Sequence, residues 1–224
     1  QTVKESVEVG EIGHPGPLPI DLRAKIYQPD QEGSRNRTEQ KAADIGERMN
    51  AISTHWVFGY GSLLWNPGFP YLRSQKVEVP GWCRRLWQGS TDHRGTPEYP
   101  GVVCTLVAAA QQSCWGLAYE VSEEDWPAIR LELDYREKDG YQLEVVGARC
   151  AASQPRPCWC YVARPDNPSF LGQPSLPELV ERIARARGPS GSSRDYLERL
   201  VQRLSELEIA DPHVEQLWQE LNRM

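Results

Sequence analysis

From Trp56 onward the chain alternates apolar and polar residues in short runs, the pattern of half-buried strands, and it predicts strands at residues 56–60, 75–80, 84–88, 102–108, 115–121, 142–147 and 158–163. Ser122-Glu123-Glu124-Asp125 then has the form of a capping box, with acids in a first turn where the helix dipole favours them, so it predicts a helix opening there. The period changes to 3.6 near the end of the chain. Leu176, Leu179, Val180 and Ile183 share one helical face, as do Leu197, Leu200, Val201 and Leu204, and then Val214, Leu217, Trp218 and Leu221 behind the start signal Asp211-Pro212. Many short strands with the helices gathered late indicate an α+β fold rather than a doubly wound parallel sheet.

Residues 1–54 follow a different rule. They hold glycine, proline and charge with Tyr27 as their one aromatic residue, whereas all 8 tryptophans lie at Trp56 or beyond. A stretch such as Gly13-His14-Pro15-Gly16-Pro17-Leu18-Pro19 cannot build a packed core. The expected organisation is an extended arm over 1–54, with residues 39–50 compatible with one short helix, followed by a folded domain over 55–224. Such an arm suits docking on a protein partner.

Net charge changes the picture only by exclusion. A balance of -6 supplies no basic stripe for nucleic acid, and no run of eighteen apolar residues is present to span a membrane. The 6 cysteines show no C-x-x-C spacing. They are expected as core thiols, with Cys158 and Cys160 on one face of a strand. His14, His55, His93 and His213 have no acidic or cysteine companions at ligand spacing, so no metal and no cofactor is expected.

The chemistry-bearing text begins at Phe58-Gly59-Tyr60-Gly61-Ser62-Leu63, a strand entering a glycine-flanked turn. Gly59 and Gly61 are expected to adopt backbone angles closed to other residues, so that successive main-chain N–H groups converge on a carboxylate or an oxyanion. Ser62 lacks the second glycine of G-x-S-x-G and is expected to matter through its backbone, not as a nucleophile. Three further segments follow in order: Arg84-Arg85-Leu86-Trp87-Gln88-Gly89-Ser90-Thr91-Asp92-His93-Arg94-Gly95, then Leu133-Asp134-Tyr135-Arg136-Glu137-Lys138-Asp139-Gly140-Tyr141, then Asp166-Asn167-Pro168 with Gly188-Pro189-Ser190-Gly191 and Tyr196-Leu197.

Taken together these segments resemble the ChaC family of glutathione-specific γ-glutamylcyclotransferases, over about residues 56–207. The resemblance implies a mixed β-barrel with surrounding helices. It also implies one reaction, closure of the γ-glutamyl group of glutathione to 5-oxoproline with release of Cys-Gly. Glu137 matches the acid/base residue of the family, and Tyr60, Gly61, Ser62 and Leu63 match its substrate-binding loop. Gln88, Asp92 and Arg94 match a polar segment that would line the far end of the pocket, where Arg94 would pair with the glycyl carboxylate, or else form a turn that only supports the site. Tyr196 matches a tyrosine pointing into the site.

An ordinary glutamate at about 4.3 facing an α-ammonium at about 7.7–8.0 is mismatched by about 3.5 units, or about 5 kcal/mol. Burial that raises the Glu137 pKa is therefore expected, with aromatic walls from Tyr60, Trp87 or Tyr135. A second reading, a non-catalytic subunit that keeps this fold and docks through its arm, stays open at this point, as does a cyclotransferase acting on another γ-glutamyl amine. The expected setting is cytoplasmic, or an organelle if a leader preceded Gln1.

Overall fold

The computed structural model describes residues 54–150 and 154–224. The arm and the short helix expected before Thr54 lie outside the described residues. Five strands form one mixed sheet: β1 Thr54–Gly59, β2 Arg73–Ser90, β3 Gly101–Ser122, β4 Tyr141–Ala148 and β5 Arg156–Ala163, in spatial order β2-β3-β1-β5-β4. β1 is central, antiparallel to β3 and parallel to β5. Its residues Val57 and Phe58 point to opposite faces and are both buried, as a strand covered on two sides requires.

Two expected strand pairs are in fact single long strands. Residues 75–80 and 84–88 belong to β2, and residues 102–108 and 115–121 belong to β3. The turn signals between them mark bends, not ends: Gly81, at φ +81°, sits where the β2–β3 register shifts between Pro80 and Trp82. A bulge of this kind bends a strand and increases its twist while pairing continues on either side.

The expected barrel is left incomplete. The sheet curls until its edges β2 and β4 approach, and Glu78 and Arg149 exchange both backbone hydrogen bonds at 2.9 Å, but this is an isolated bridge and no ladder follows. Inside the curl, Thr105 replaces a ladder bond with its side chain. Its hydroxyl donates to the Ala163 carbonyl at 2.8 Å and accepts from the Ala163 N–H at 3.0 Å, joining β3 to β5.

Four helices cover this sheet. α1 spans Trp126–Arg136, and the Ser122 hydroxyl organises the turn before it, accepting from the Asp125 N–H at 3.1 Å. α2 spans Leu176–Arg185, α3 Ser193–Glu206 and α4 Pro212–Leu221, on the three apolar faces read from the sequence. A two-residue hairpin, β6 Arg187–Gly188 with β7 Gly191–Ser192, leads into α3. There Ser192 and Asp195 cap the helix reciprocally: the Ser192 hydroxyl accepts from the Asp195 N–H at 3.0 Å, and the Asp195 carboxylate accepts from the Ser192 N–H at 2.9 Å. Cys83, Cys104, Cys114, Cys158 and Cys160 are buried thiols. No described helix is long and apolar enough to cross a membrane.

Candidate active site

A second bulge positions the site. Between Arg85 and Gln88 the register shifts by one, so that Leu86 and Trp87 of β2 stand opposite Cys104 alone. The peptide groups displaced from the ladder find partners elsewhere: the Leu86 N–H donates to Nε2 of His213 at 3.1 Å, and the Cys104 N–H donates to the phenol oxygen of Tyr196 at 3.3 Å. The Cys104 carbonyl accepts from the Tyr141 hydroxyl. One irregular residue of β3 therefore fixes two tyrosines.

Those tyrosines line two adjoining spaces. A cavity of about 330 Å³ is lined by residues that include Trp65, Asp92, Arg94, Glu137, Tyr196 and Arg199. A narrow recess of about 30 Å³ is lined by Phe58, Tyr60, Gly61, Ser62, Leu63, Tyr161 and the same Glu137, Tyr141 and Tyr196. Glu137 belongs to both. It is the C-terminal cap of α1, held where the Glu137 N–H donates to the Leu133 carbonyl at 2.8 Å, and its side chain turns inward with 15% of its surface exposed. Burial pushes its carboxyl above the ordinary glutamate value; the Arg136 guanidinium opposes the shift and Asp92 adds to it.

Arg136 is the residue that ties the acid to the turn after β1. Its Nε lies 3.3 Å from the Glu137 carboxylate, Nη2 donates to the Ser62 hydroxyl at 2.8 Å, and Nη1 donates to the carbonyls of Asn66 and Pro67 at 2.9 and 3.1 Å. The turn itself is a short 3-10 helix over Ser62–Leu64, whose first internal bond runs from the Leu64 N–H to the Gly61 carbonyl at 2.9 Å. The N–H groups of Ser62 and Leu63 precede that bond and have no partner within the turn.

The glycines of this turn serve a purpose other than the one expected. Gly61 has φ -118°, and neither it nor Gly59 adopts positive φ. What each lacks is room. A Cβ on Gly61 would lie 2.8 Å from the Tyr196 hydroxyl, and one on Gly59 would lie 2.8 Å from the Cβ of Leu63. Gly61→Ala should therefore displace Tyr196 or the turn, lowering kcat/KM about 10-fold or more and stability by about 1–3 kcal/mol, the range for overpacking; kinetics and urea denaturation of the same preparation check both.

The sequence-derived residues fall into three groups. Glu137, Tyr60, Gly61, Ser62, Leu63, Arg94, Asp92 and Tyr196 all line one or both spaces. Gln88 lines neither. It is fully buried and exchanges amide hydrogen bonds with Asn167 at 3.1 and 3.2 Å while donating to the Asp139 carbonyl at 3.1 Å, so it braces the segment that follows Glu137. The expected walls Trp87 and Tyr135 do not face the site: Trp87 packs edge-on against His213, and Tyr135 is 74% exposed beneath the Lys138 ammonium. Tyr60, Tyr141, Tyr161 and Tyr196 supply the wall, and burial raises the pKa of each phenol, leaving neutral rings around the acid.

Arg136, Tyr141 and Arg199 are site residues that sequence reasoning missed. Arg136 and Tyr141 flank Glu137 within the quoted segment, and Arg199 lies three residues beyond Tyr196, one helical turn along the same face of α3. Among the described residues, no group of three His, Cys, Asp or Glu side chains is placed to hold a metal ion.

The chain resembles several known proteins over most of its length. The chain is 42% identical over 170 residues to gamma-glutamylcyclotransferase 2-3 of Arabidopsis thaliana, covering 72% of this chain and 85% of that one. It is 40% identical over 150 residues to glutathione-specific gamma-glutamylcyclotransferase 1 of Homo sapiens, covering 65% and 68%. The crystal structure of a yeast gamma-glutamyl cyclotransferase specific to glutathione superposes with a TM-score of 0.71 at 28% identity, over 76% of this chain and 96% of that one. The family model described as ChaC-like protein matches residues 55–224, and the chain belongs to that family.

Proposed function

We propose that this protein is a glutathione-specific γ-glutamylcyclotransferase that converts glutathione to 5-oxoproline and Cys-Gly, with Glu137 as its acid/base. The observation that carries the reading is the desolvated Glu137 carboxylate at the junction of the two spaces, opposite the turn that presents the Ser62 and Leu63 amides. The names of the relatives, several of them specific to glutathione, support the substrate.

The chemistry asks little of the protein beyond placement and one proton carrier. The α-amine of the γ-glutamyl group attacks its own γ-carbonyl, the C–N bond to cysteine breaks, and a five-membered lactam leaves with Cys-Gly. Holding amine and carbonyl in a near-attack pose supplies up to about 7–11 kcal/mol. Glu137 takes the proton from the α-ammonium and returns it to the departing amide nitrogen, and its raised pKa narrows the mismatch between the two groups. The Tyr60–Leu63 turn is the donor surface for the γ-glutamyl carboxylate or the developing oxyanion.

A non-catalytic subunit with the same fold would gain nothing from a carboxylate held out of water against its preference. Incubating the purified protein with glutathione should give 5-oxoproline and Cys-Gly in equal amounts. A preparation that is folded yet forms neither would remove the proposal.

A further inference from the structure

Two guanidinium groups on the rim of the cavity have no carboxylate within 4.0 Å among the described residues, although most arginines elsewhere do. Arg94 and Arg199 both line the cavity that contains Glu137. They reach it from different elements: Arg94 from the connection between β2 and β3, Arg199 from α3.

The Arg94 position is built, not incidental. Its N–H donates to the Ser90 hydroxyl at 3.0 Å and its carbonyl accepts from the Ser193 hydroxyl at 3.4 Å. Gly101 leaves space for that carbonyl, since a Cβ there would stand 2.4 Å from it. The Arg94 guanidinium then lies over the Tyr196 ring, 5.6 Å from its centre. Arg199 follows Tyr196 by one turn of α3 and lines the same cavity as Arg94.

Neighbouring acids offset the pair only in part: Asp92, Asp139 and Glu137 line the same cavity, but none lies within 4.0 Å of either guanidinium. The Asp195 carboxylate is committed to the Ser192 N–H in the α3 cap, and Asp92 lies 3.7 Å from the His93 ring nitrogen. Burial and the nearby Arg199 charge, partly offset by Tyr196 and Asp195, lower the Arg94 pKa from its ordinary value. Two like charges facing one cavity are relieved by an anion between them. A planar guanidinium fork also matches a carboxylate in geometry.

This rests on glutathione as the substrate. With the γ-glutamyl end in the recess beside Glu137, the far end of the tripeptide carries a free carboxylate. We infer that Arg199, together with Arg94, clamps this C-terminal carboxylate and so makes the site read the third residue of the tripeptide. Arg199 is a specificity residue on this view, remote from the bond that breaks.

The test is a binding measurement, kept separate from turnover. Glu137→Gln protein is titrated calorimetrically with glutathione and with its C-terminal amide, γ-glutamylcysteinylglycinamide. The amide should bind about 10- to 100-fold more weakly, the range for losing a charge-assisted pair. Adding Arg199→Gln should weaken glutathione by a similar factor while leaving the amide unchanged, and Arg199→Lys should restore part of the difference. Equal affinity for the two peptides, equal losses on both in Arg199→Gln, or binding of neither overturns the clamp. Absence of 5-oxoproline from the wild-type protein would instead strike the proposed function, and a binding difference that persisted would still establish the clamp.

Discussion

Glu137→Gln should lower 5-oxoproline formation from glutathione by about 100- to 10,000-fold, the usual contribution of a positioned acid/base. The amide is nearly isosteric and keeps a hydrogen-bonding partner for Arg136, so the loss should fall on kcat with little change in KM. In the parent enzyme kcat/KM should rise with pH through the Glu137 pKa, because the ionised form is the base. Its inflection should stand above the ~4.3 of a free glutamate, since burial raises this carboxyl. A profile that turns at the free-carboxylate value would contradict the desolvated site.

The same substitution has a stability signature that separates a catalytic loss from a folding defect. The Glu137 pKa is higher in the folded than in the unfolded chain, so the native state binds the extra proton and its stability falls as pH rises through the folded value. At neutral pH the buried ion is a net cost, and Glu137→Gln should be at least as stable as the parent. Below about pH 4, where both states are protonated, the difference should vanish. Urea denaturation at the two pH values measures it; a variant that is inactive and also destabilised only at neutral pH would mean that the carboxylate is a structural ion-pair member.

Much of this arrangement is legible in the order of residues, and each exception has a physical cause. The apolar spacing of Leu197, Leu200 and Leu204 places α3 correctly, and all three are buried. Glu137 is legible as a motif residue, and its position at a helix end follows from the Asp139-Gly140 turn behind it. Strand ends were less legible because a bulge and a turn use the same residue: Gly81 reads as a stop but only bends β2. Side-chain direction was the least legible. Tyr135 is two residues from Glu137, yet it faces solvent, because positions two apart on the last turn of α1 diverge by about 200°. A ring that does line the space around the acid, Tyr141, comes from the next strand, and nothing local to the segment distinguishes the two. Gln88 shows the same limit, since its contacts with Asn167 and Asp139 span long stretches of chain.

Arg84→Met should destabilise the domain by about 3–5 kcal/mol, the range for removing one partner of a buried ion pair. Arg84 has 1% of its side chain exposed, and Asp211 has 12%. The guanidinium makes three bonds to three separate pieces of the fold: Nε donates to the Tyr60 carbonyl at 2.7 Å, Nη2 donates to the Trp115 carbonyl at 2.6 Å, and Nη1 pairs with the Asp211 carboxylate at 2.6 Å. Asp211 in turn caps α4, accepting from the Val214 N–H at 3.2 Å. Methionine fills a similar volume but leaves two carbonyls and a carboxylate without their donor, and each loss is paid in desolvation already incurred. Asp211→Asn keeps the α4 cap and removes only the charge, so it should be milder than Arg84→Met. The double variant should be more stable than the sum of the single losses predicts, by about 1 kcal/mol or more, because the stranded carboxylate is gone. The Tyr60 carbonyl begins the turn opposite Glu137, so kcat/KM should also fall in Arg84→Met at temperatures where it stays folded. Urea denaturation of the four proteins in the cycle, with kinetics on each, checks both. Strict additivity together with unchanged kinetics would mean that the arginine neither couples α4 to β2 nor holds the substrate turn in place.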